Sequence, residues 1–212
     1  MQDFICFLDQ WQTLLGAVAG GFFALGAALV VARDARRREE SSAAMLIIGN
    51  LAEFRAAGEN LRRLAAEQNI PEDEYSMWLS QHLIWKRPTL SSLFEASMIR
   101  VMPIHVTIAA HLSLLKTIYD NIETHTARLE HDFELLRQLD TKTLPRSSQE
   151  MESDARLIAS GFQLAGRHAS CAEVMLSKFV LGSFPAWHKI KSKFFPTTEE
   201  KQCSQLIKTG RI

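Results

Sequence analysis

The sequence predicts an all-α protein: one N-terminal transmembrane helix, then a cytoplasmic helical bundle containing a long antiparallel helix pair. Three observations predict it. An uncharged apolar run near the start is as long as a bilayer core is thick, and an arginine cluster follows it at once. The rest of the chain repeats apolar residues at helical spacing, with no run of alternating β-branched residues.

The apolar run, Thr13–Ala32, reads TLLGAVAGGFFALGAALVVA. At about 1.5 Å rise per residue its length matches the roughly 30 Å hydrocarbon core. Its Leu, Val and Phe residues favour insertion by a few tenths of a kcal/mol each, tempered by the glycines and alanines. Trp11 stands just outside the run, where an interfacial aromatic belongs. A cleaved signal peptide would carry its basic residues before the apolar stretch. Here Asp3 and Asp9 precede it, whereas Arg33, Arg36, Arg37 and Arg38 follow. The positive-inside rule then sets the N-terminus outside and the bulk of the chain in the cytoplasm, with the arginines among anionic headgroups. Within the span, Gly16, Gly20, Ala24 and Ala28 recur every four residues and line one helix face. Such a small-residue face lets two membrane helices approach closely.

The expected organisation is a short extracytoplasmic N-terminus (1–10), the span (11–32) and a basic juxtamembrane segment (33–40). A helical domain (41–183) and an aromatic and basic C-terminal segment (184–212) complete it. In the helical domain the first segment, near Ser41–Gln68, carries Leu46, Ile47, Leu51, Phe54, Leu61 and Leu64, continues out of the span, and stops at Pro71. Glu72, Asp73 and Glu74 suit the first turn of the next helix, which carries Tyr75, Met77, Trp78, Leu79 and Leu83 and closes near Pro88. A short helix over Leu90–Met102 ends at Pro103. The longest periodic stretch is Ile104–Asp140. There Ile108, Leu112, Leu115, Tyr119, Ile122, Thr126, Leu129, Phe133 and Leu136 form a seam of coiled-coil type. A turn over Thr141–Ser148 with Pro145 leads into a second long helix. Ser147 or Ser148 is its expected cap and Gly182 its expected end, with Leu157, Phe162, Leu164, Val174, Met175 and Phe179 for packing. Phe184, Trp187, Ile190 and Phe194 then share one face of a short lysine-rich helix, the pattern of an interfacial helix or of a terminal helix docked on the bundle. Docking is the preferred expectation.

Composition excludes some functions. Lys plus Arg and Asp plus Glu both number 24, so no global basic field marks a nucleic-acid binder, and no nucleic-acid partner is expected. Cys6, Cys171 and Cys203 are odd in number and scattered, which is neither a disulfide framework nor a zinc-type Cys pair; Cys171 reads as a small buried hydrophobe. No P-loop, dinucleotide fingerprint, HExxH or GxSxG motif is present. His105 and His111, like His125 and His131, are six residues apart and out of phase on one helix. Glu134 reads as the surface partner of Arg137. His168 and Cys171 sit one turn apart, within touching distance, but no third ligand is visible in the sequence. No catalytic residue, metal ligand or cofactor is therefore assigned.

The start Trp11-Gln12-Thr13-Leu14-Leu15-Gly16, and more faintly Trp85 with the Leu93–Pro103 region, resembles a group of uncharacterised bacterial single-span inner-membrane proteins with a helical cytoplasmic region. That group has no known activity, so the resemblance implies a membrane location and no site residue. The leading expectation is a non-enzymatic interaction or scaffold module at the inner (plasma) membrane. Its partners would be the lipid bilayer, a second copy of the chain or a cytoplasmic protein. The alternatives are an enzyme using His125, His131 or His168 with nearby carboxylates, and a membrane-active effector that oligomerises through its span.

Overall fold

With no proline before Pro71, nothing interrupts helical hydrogen bonding in the first part of the chain. In the computed structural model a single helix, α1 (Gln2–Glu67), runs through the apolar stretch and the arginine cluster without a break. The structure describes residues 2–138, 147–182 and 185–210; side chains are not described at 2–10, 13, 138, 185, 186 and 189. Seven α-helices and no strand are found among the described residues. The chain divides into two compact units, Met1–Ser42 and Ala43–Ile212.

The first unit is a helix of exposed apolar residues. Phe22 is 72% and Phe23 81% exposed, and Leu14, Leu15, Leu29 and Val31 are exposed as well. One helix near the N-terminus is thus long and apolar enough to cross a membrane. In the arginine cluster, Arg36 pairs with Glu40 and Arg38 with Asp34, each at 2.8 Å and one turn apart.

The second unit begins with the remainder of α1, whose end is set by Asn69. That residue takes the left-handed conformation (φ 51°), so that the Ile70 N–H reaches the Ala65 carbonyl and the Asn69 N–H the Ala66 carbonyl. These are the two hydrogen bonds of a Schellman motif, and Pro71 follows. Next come α2 (Glu72–Trp85), α3 (Phe94–Val101) with a 3₁₀ turn at Met102–Ile104, then α4 (Val106–Gln138) and α5 (Ser148–Phe179). Ser147 caps α5 in a reciprocal capping box with Glu150. The expected turn over Thr141–Ser148 lies mostly outside the described residues.

The pair α4 and α5 forms the centre. His125 meets Asp154, Ile122 faces Gly161, and His111 meets His168, so later residues of α4 oppose earlier residues of α5 and the helices are antiparallel. The expected seam of α4 is buried from Ile108 to Leu129, and Leu136 at its end is exposed. Thr126 fits within it because its hydroxyl donates to the Ile122 carbonyl. On α5 the expected Phe162, Met175 and Phe179 are buried and Leu164 is partly buried, whereas Leu157 and Val174 are exposed; Ala155, Ala159, Ala165, Ala169 and Ala172 share the buried face. An added Cβ at Gly161 would meet Ile122 at 3.2 Å, so α4 lies close at that glycine.

Two apolar clusters result. One gathers Ile47 and Leu51 of α1, Phe94 of α3, Leu112 and Leu115 of α4 and Met175 to Phe179 of α5. The other joins Phe54 of α1, Leu79 and Leu83 of α2, Tyr119 and Leu129 of α4 and Ile158 and Phe162 of α5. Leu46, expected on the apolar face of α1, is exposed.

Beyond α5 the expectations fail in three places. Gly182 does not end the helix: α5 ends at Phe179 with Val180 as its cap. Gly182 serves instead where space is short, since a Cβ there would stand 2.6 Å from the Lys178 carbonyl. The short helix α6 (Pro185–Phe194) forms, but Trp187, Ile190 and Phe194 are each more than half exposed, so its aromatics are not docked on the bundle; Phe184 lies outside the described residues. Third, the segment 184–212 holds a further helix, α7 (Thr198–Thr209), begun by a Thr197–Glu200 capping box and ended by Gly210 at φ 65°.

Helix α7 is fastened by charge. Glu200, almost fully buried, accepts from Lys178 of α5 and from the Thr197 N–H at 2.9 Å. Burial alone would raise the Glu200 carboxyl, but Lys178 and the Thr197 backbone outweigh it and hold it below its ordinary value. A depressed folded value stabilises the protein above the unfolded carboxylate pKa and is lost as pH falls through the folded one. Glu200→Gln keeps the capping box and removes the charge. It should cost about 1.5–3 kcal/mol at pH 7, as for a hydrogen bond to a charged group. Thermal melts of both proteins should converge as pH is lowered below the carboxylate range; an equal gap at both ends would contradict this account.

Candidate functional site: a buried histidine and cysteine cluster

The chemistry-bearing side chains of the second unit converge where α4, α5 and α7 meet. In α4, His111 lies one turn after Ile108 and beside Leu112, so the seam carries it inward and it is fully buried. In α5, His168 and Cys171 are one turn apart on the inner face, 2% and 5% exposed. In α7, Glu200, Cys203 and Leu206 share the buried side at a spacing of three, and this delivers Cys203.

Cys171 and Cys203 are joined as a disulfide, with Cα atoms 5.6 Å apart and a sequence separation of 32. This corrects the reading of Cys171 as an isolated buried hydrophobe. A ring nitrogen of His111 and the two sulfurs lie within 4.8 Å of one another. The Nδ1 atoms of His111 and His168 are 2.9 Å apart, so one ring donates its Nδ1–H to the other. The Nε2 of His111 is buried and makes no hydrogen bond of ordinary geometry, although the Cys203 backbone lies close enough to the ring to interact with it. Buried polar atoms are nearly always satisfied, and leaving one unpaired costs about 1–3 kcal/mol.

The electrostatics keep both rings neutral. Burial, reinforced by the neighbouring His168, pushes His111 down from 6.5 to about 4, against an opposing contribution from the nearby Cys203 backbone. Burial lowers His168 as well. A neutral imidazole has a lone pair to offer, and two sulfurs beside it are soft donors.

The other histidines are elsewhere. His105 stacks on Phe179, ring centroids 4.5 Å apart and planes 8° from parallel, and accepts from the Thr107 N–H. His125 pairs with buried Asp154 at 2.8 Å, and His131 is exposed. Of His125, His131 and His168, only His168 therefore belongs to a multi-residue cluster. The i, i+3 pair His168 and Cys171 was visible in the sequence. Its completion was not, because His111 is 57 residues from His168 and α7 had been read as part of an aromatic tail.

In the first unit, no atom lies within 4 Å of a Cβ added at Gly16 or Gly20, so that face has room for a close neighbour. Ala24, Ala28 and the four arginines of 33–38 are exposed, and Trp11 is 48% exposed. A separate cleft of about 420 Å³ in the second unit is lined by Arg55, Arg62, Arg167 and Tyr75 among others. Arg55 is committed there to an ion pair with Glu173 of α5.

No protein-family model, curated protein or solved structure matches the chain.

Proposed function

We propose that the protein is a membrane-anchored helical module that works by binding rather than by catalysis. In this reading it holds the second unit on the cytoplasmic side of the inner membrane and pairs with a second copy through the span. The observation that carries the reading is the N-terminal helix: exposed Leu, Val and Phe side chains over the uncharged run, then Arg33, Arg36, Arg37 and Arg38. In water such a surface is a liability, whereas in a bilayer it is the normal exterior of a span. Trp11 would sit at the outer interface and the arginines at the inner one. The open face at Gly16 and Gly20, continued by Ala24 and Ala28, supports contact with a like helix, since small residues let two backbones approach.

Two measurements test it. A membrane-impermeant maleimide applied to intact cells should label Cys6 but not a cysteine placed at exposed Lys208. Cys203 is too buried to report on sidedness. Labelling of position 208 alone would reverse the orientation. Cross-linking in native membranes should trap a defined oligomer, and the double change Gly16→Ile, Gly20→Ile should lower its yield several-fold. A protein that stays monomeric in both forms, with no partner captured, would remove the interaction reading.

A further inference from the structure

We propose that His111, Cys171 and Cys203 form a binding site for a divalent transition metal of the zinc class when the two cysteines are in their dithiol form, with His168 orienting His111. The donor set comes from three helices and is wholly buried. The three ligand atoms already lie within 4.8 Å of one another, and zinc–sulfur bonds of about 2.3 Å and zinc–nitrogen bonds of about 2.0–2.1 Å need only modest closing or opening from there. A Cα separation of 5.6 Å brings the two sulfurs into one small volume whether or not they are bonded to each other. Two thiolates with an imidazole select soft and borderline metals and reject magnesium and calcium.

The buried Nε2 of His111, which makes no hydrogen bond of ordinary geometry and has the Cys203 backbone beside its ring, is the second observation. When His111 is the ring that donates its Nδ1–H to His168, its lone pair is on Nε2, as a metal-binding histidine requires. Metal-ligating histidines usually donate their other N–H to a fixed acceptor, and the Nδ1 of His168 at 2.9 Å is placed for that role. His168 is thus a positioning residue.

Disulfide and metal site exclude one another, so the cluster has two states. Going from the first to the second takes two electrons from a thiol or phosphine reductant, which is itself oxidised to a disulfide or a phosphine oxide. Two protons, from the reductant or from water, end on Sγ of Cys171 and Sγ of Cys203. The divalent metal then displaces both thiol protons to solvent and binds two thiolates and Nε2. The proposal draws on the cytoplasmic placement of the second unit only for its compartment, where thiols are kept reduced. The test below is made on purified protein and stands apart from topology.

The full-length protein, extracted in detergent, is reduced with a phosphine, desalted without oxygen and titrated with cobalt(II), then with zinc against a chromophoric chelator. One cobalt per chain with an intense near-ultraviolet sulfur-to-cobalt band, displaced by zinc, is the expected result. Cys203→Ser should weaken zinc binding at least about 100-fold and remove most of that band, and Cys6→Ser should change neither. His168→Ala should weaken binding about 10–100-fold. His168→Asn, which keeps an acceptor for the Nδ1–H, should recover part of it with the band restored. A variant-free comparison separates binding from any folding defect of Cys203→Ser: zinc should raise the melting temperature of the reduced wild-type protein and leave the oxidised protein unchanged. Absence of the sulfur band in reduced protein, or equal zinc binding by reduced and oxidised protein, would overturn the proposal.

Discussion

Phe23→Lys should keep the N-terminal helix out of the bilayer. Phe23 stands near the centre of the uncharged run and is 81% exposed, so no packing within the chain masks the effect. A central phenylalanine favours insertion by about 0.3–0.6 kcal/mol, and a central lysine opposes it by about 2.5–3.5 kcal/mol. The exchange is therefore worth roughly 3–4 kcal/mol, a factor of about 10²–10³ in the insertion equilibrium. The run has little margin to absorb it: its Leu, Val and Phe residues together supply only a few kcal/mol, and four glycines work against them. After alkaline extraction the wild-type protein should remain with the membrane, the Phe23→Lys protein should move largely to the soluble fraction, and Phe23→Leu should behave as wild type. A wild-type protein washed off by alkali would mean that the exposed apolar helix is covered by something other than lipid.

Leu115→Ala should be among the most damaging single changes in the second unit that touch no polar group. Leu115 is fully buried in the seam of α4, against the cluster shared with α1, α3 and α5. Removing three carbons there leaves a cavity that rigid helices cannot fill, at a cost of about 2–5 kcal/mol. That is a large share of the 5–15 kcal/mol by which domains of this kind are held together. Leu136 belongs to the same sequence repeat but is 37% exposed, so Leu136→Ala should cost about 0.5 kcal/mol or less. Denaturant titration of the two variants separates a seam that faces its own bundle from one reserved for a second chain. Similar, small losses at both positions would favour the second arrangement.

The parts of the fold legible in the sequence were those governed by neighbours a few residues apart. Ser147 with Glu150, Glu72 to Glu74 in the first turn of α2, Pro71 beyond α1 and the 3–4 spacing from Ile108 to Leu129 each act within a turn or a few. The second capping box, Thr197 with Glu200, was equally local, and the aromatic run before it drew the reading away from it. On α5 the large residues Leu157 and Val174 looked like the buried face. Phe162, Met175 and Phe179 are buried as their spacing indicates, but which other positions join them depends on the neighbouring helices and not on the local pattern. The exposure of Trp187, Ile190 and Phe194 has the same origin, since an amphipathic pattern names a face without naming what covers it. The histidine and cysteine cluster lay furthest out of reach. Only the His168 and Cys171 pair was local, and nothing in the spacing of His111 or Cys203 indicated that three helices would bring them to one point.

The order in which the chain is made gives the cluster a history. Cys203 follows Cys171 by 32 residues, about 2–6 s of synthesis at 5–20 residues per second. Until α7 has docked, Cys171 has no Cys203 to pair with. His111, His168 and Cys171 then stand at an open mouth, accessible to water, to small thiols or to a metal carrier. Arrival of α7, steadied by its own capping box and by the Lys178–Glu200 pair, shuts that mouth. Once α7 is in place, a newcomer to the cluster must wait for that helix to swing away.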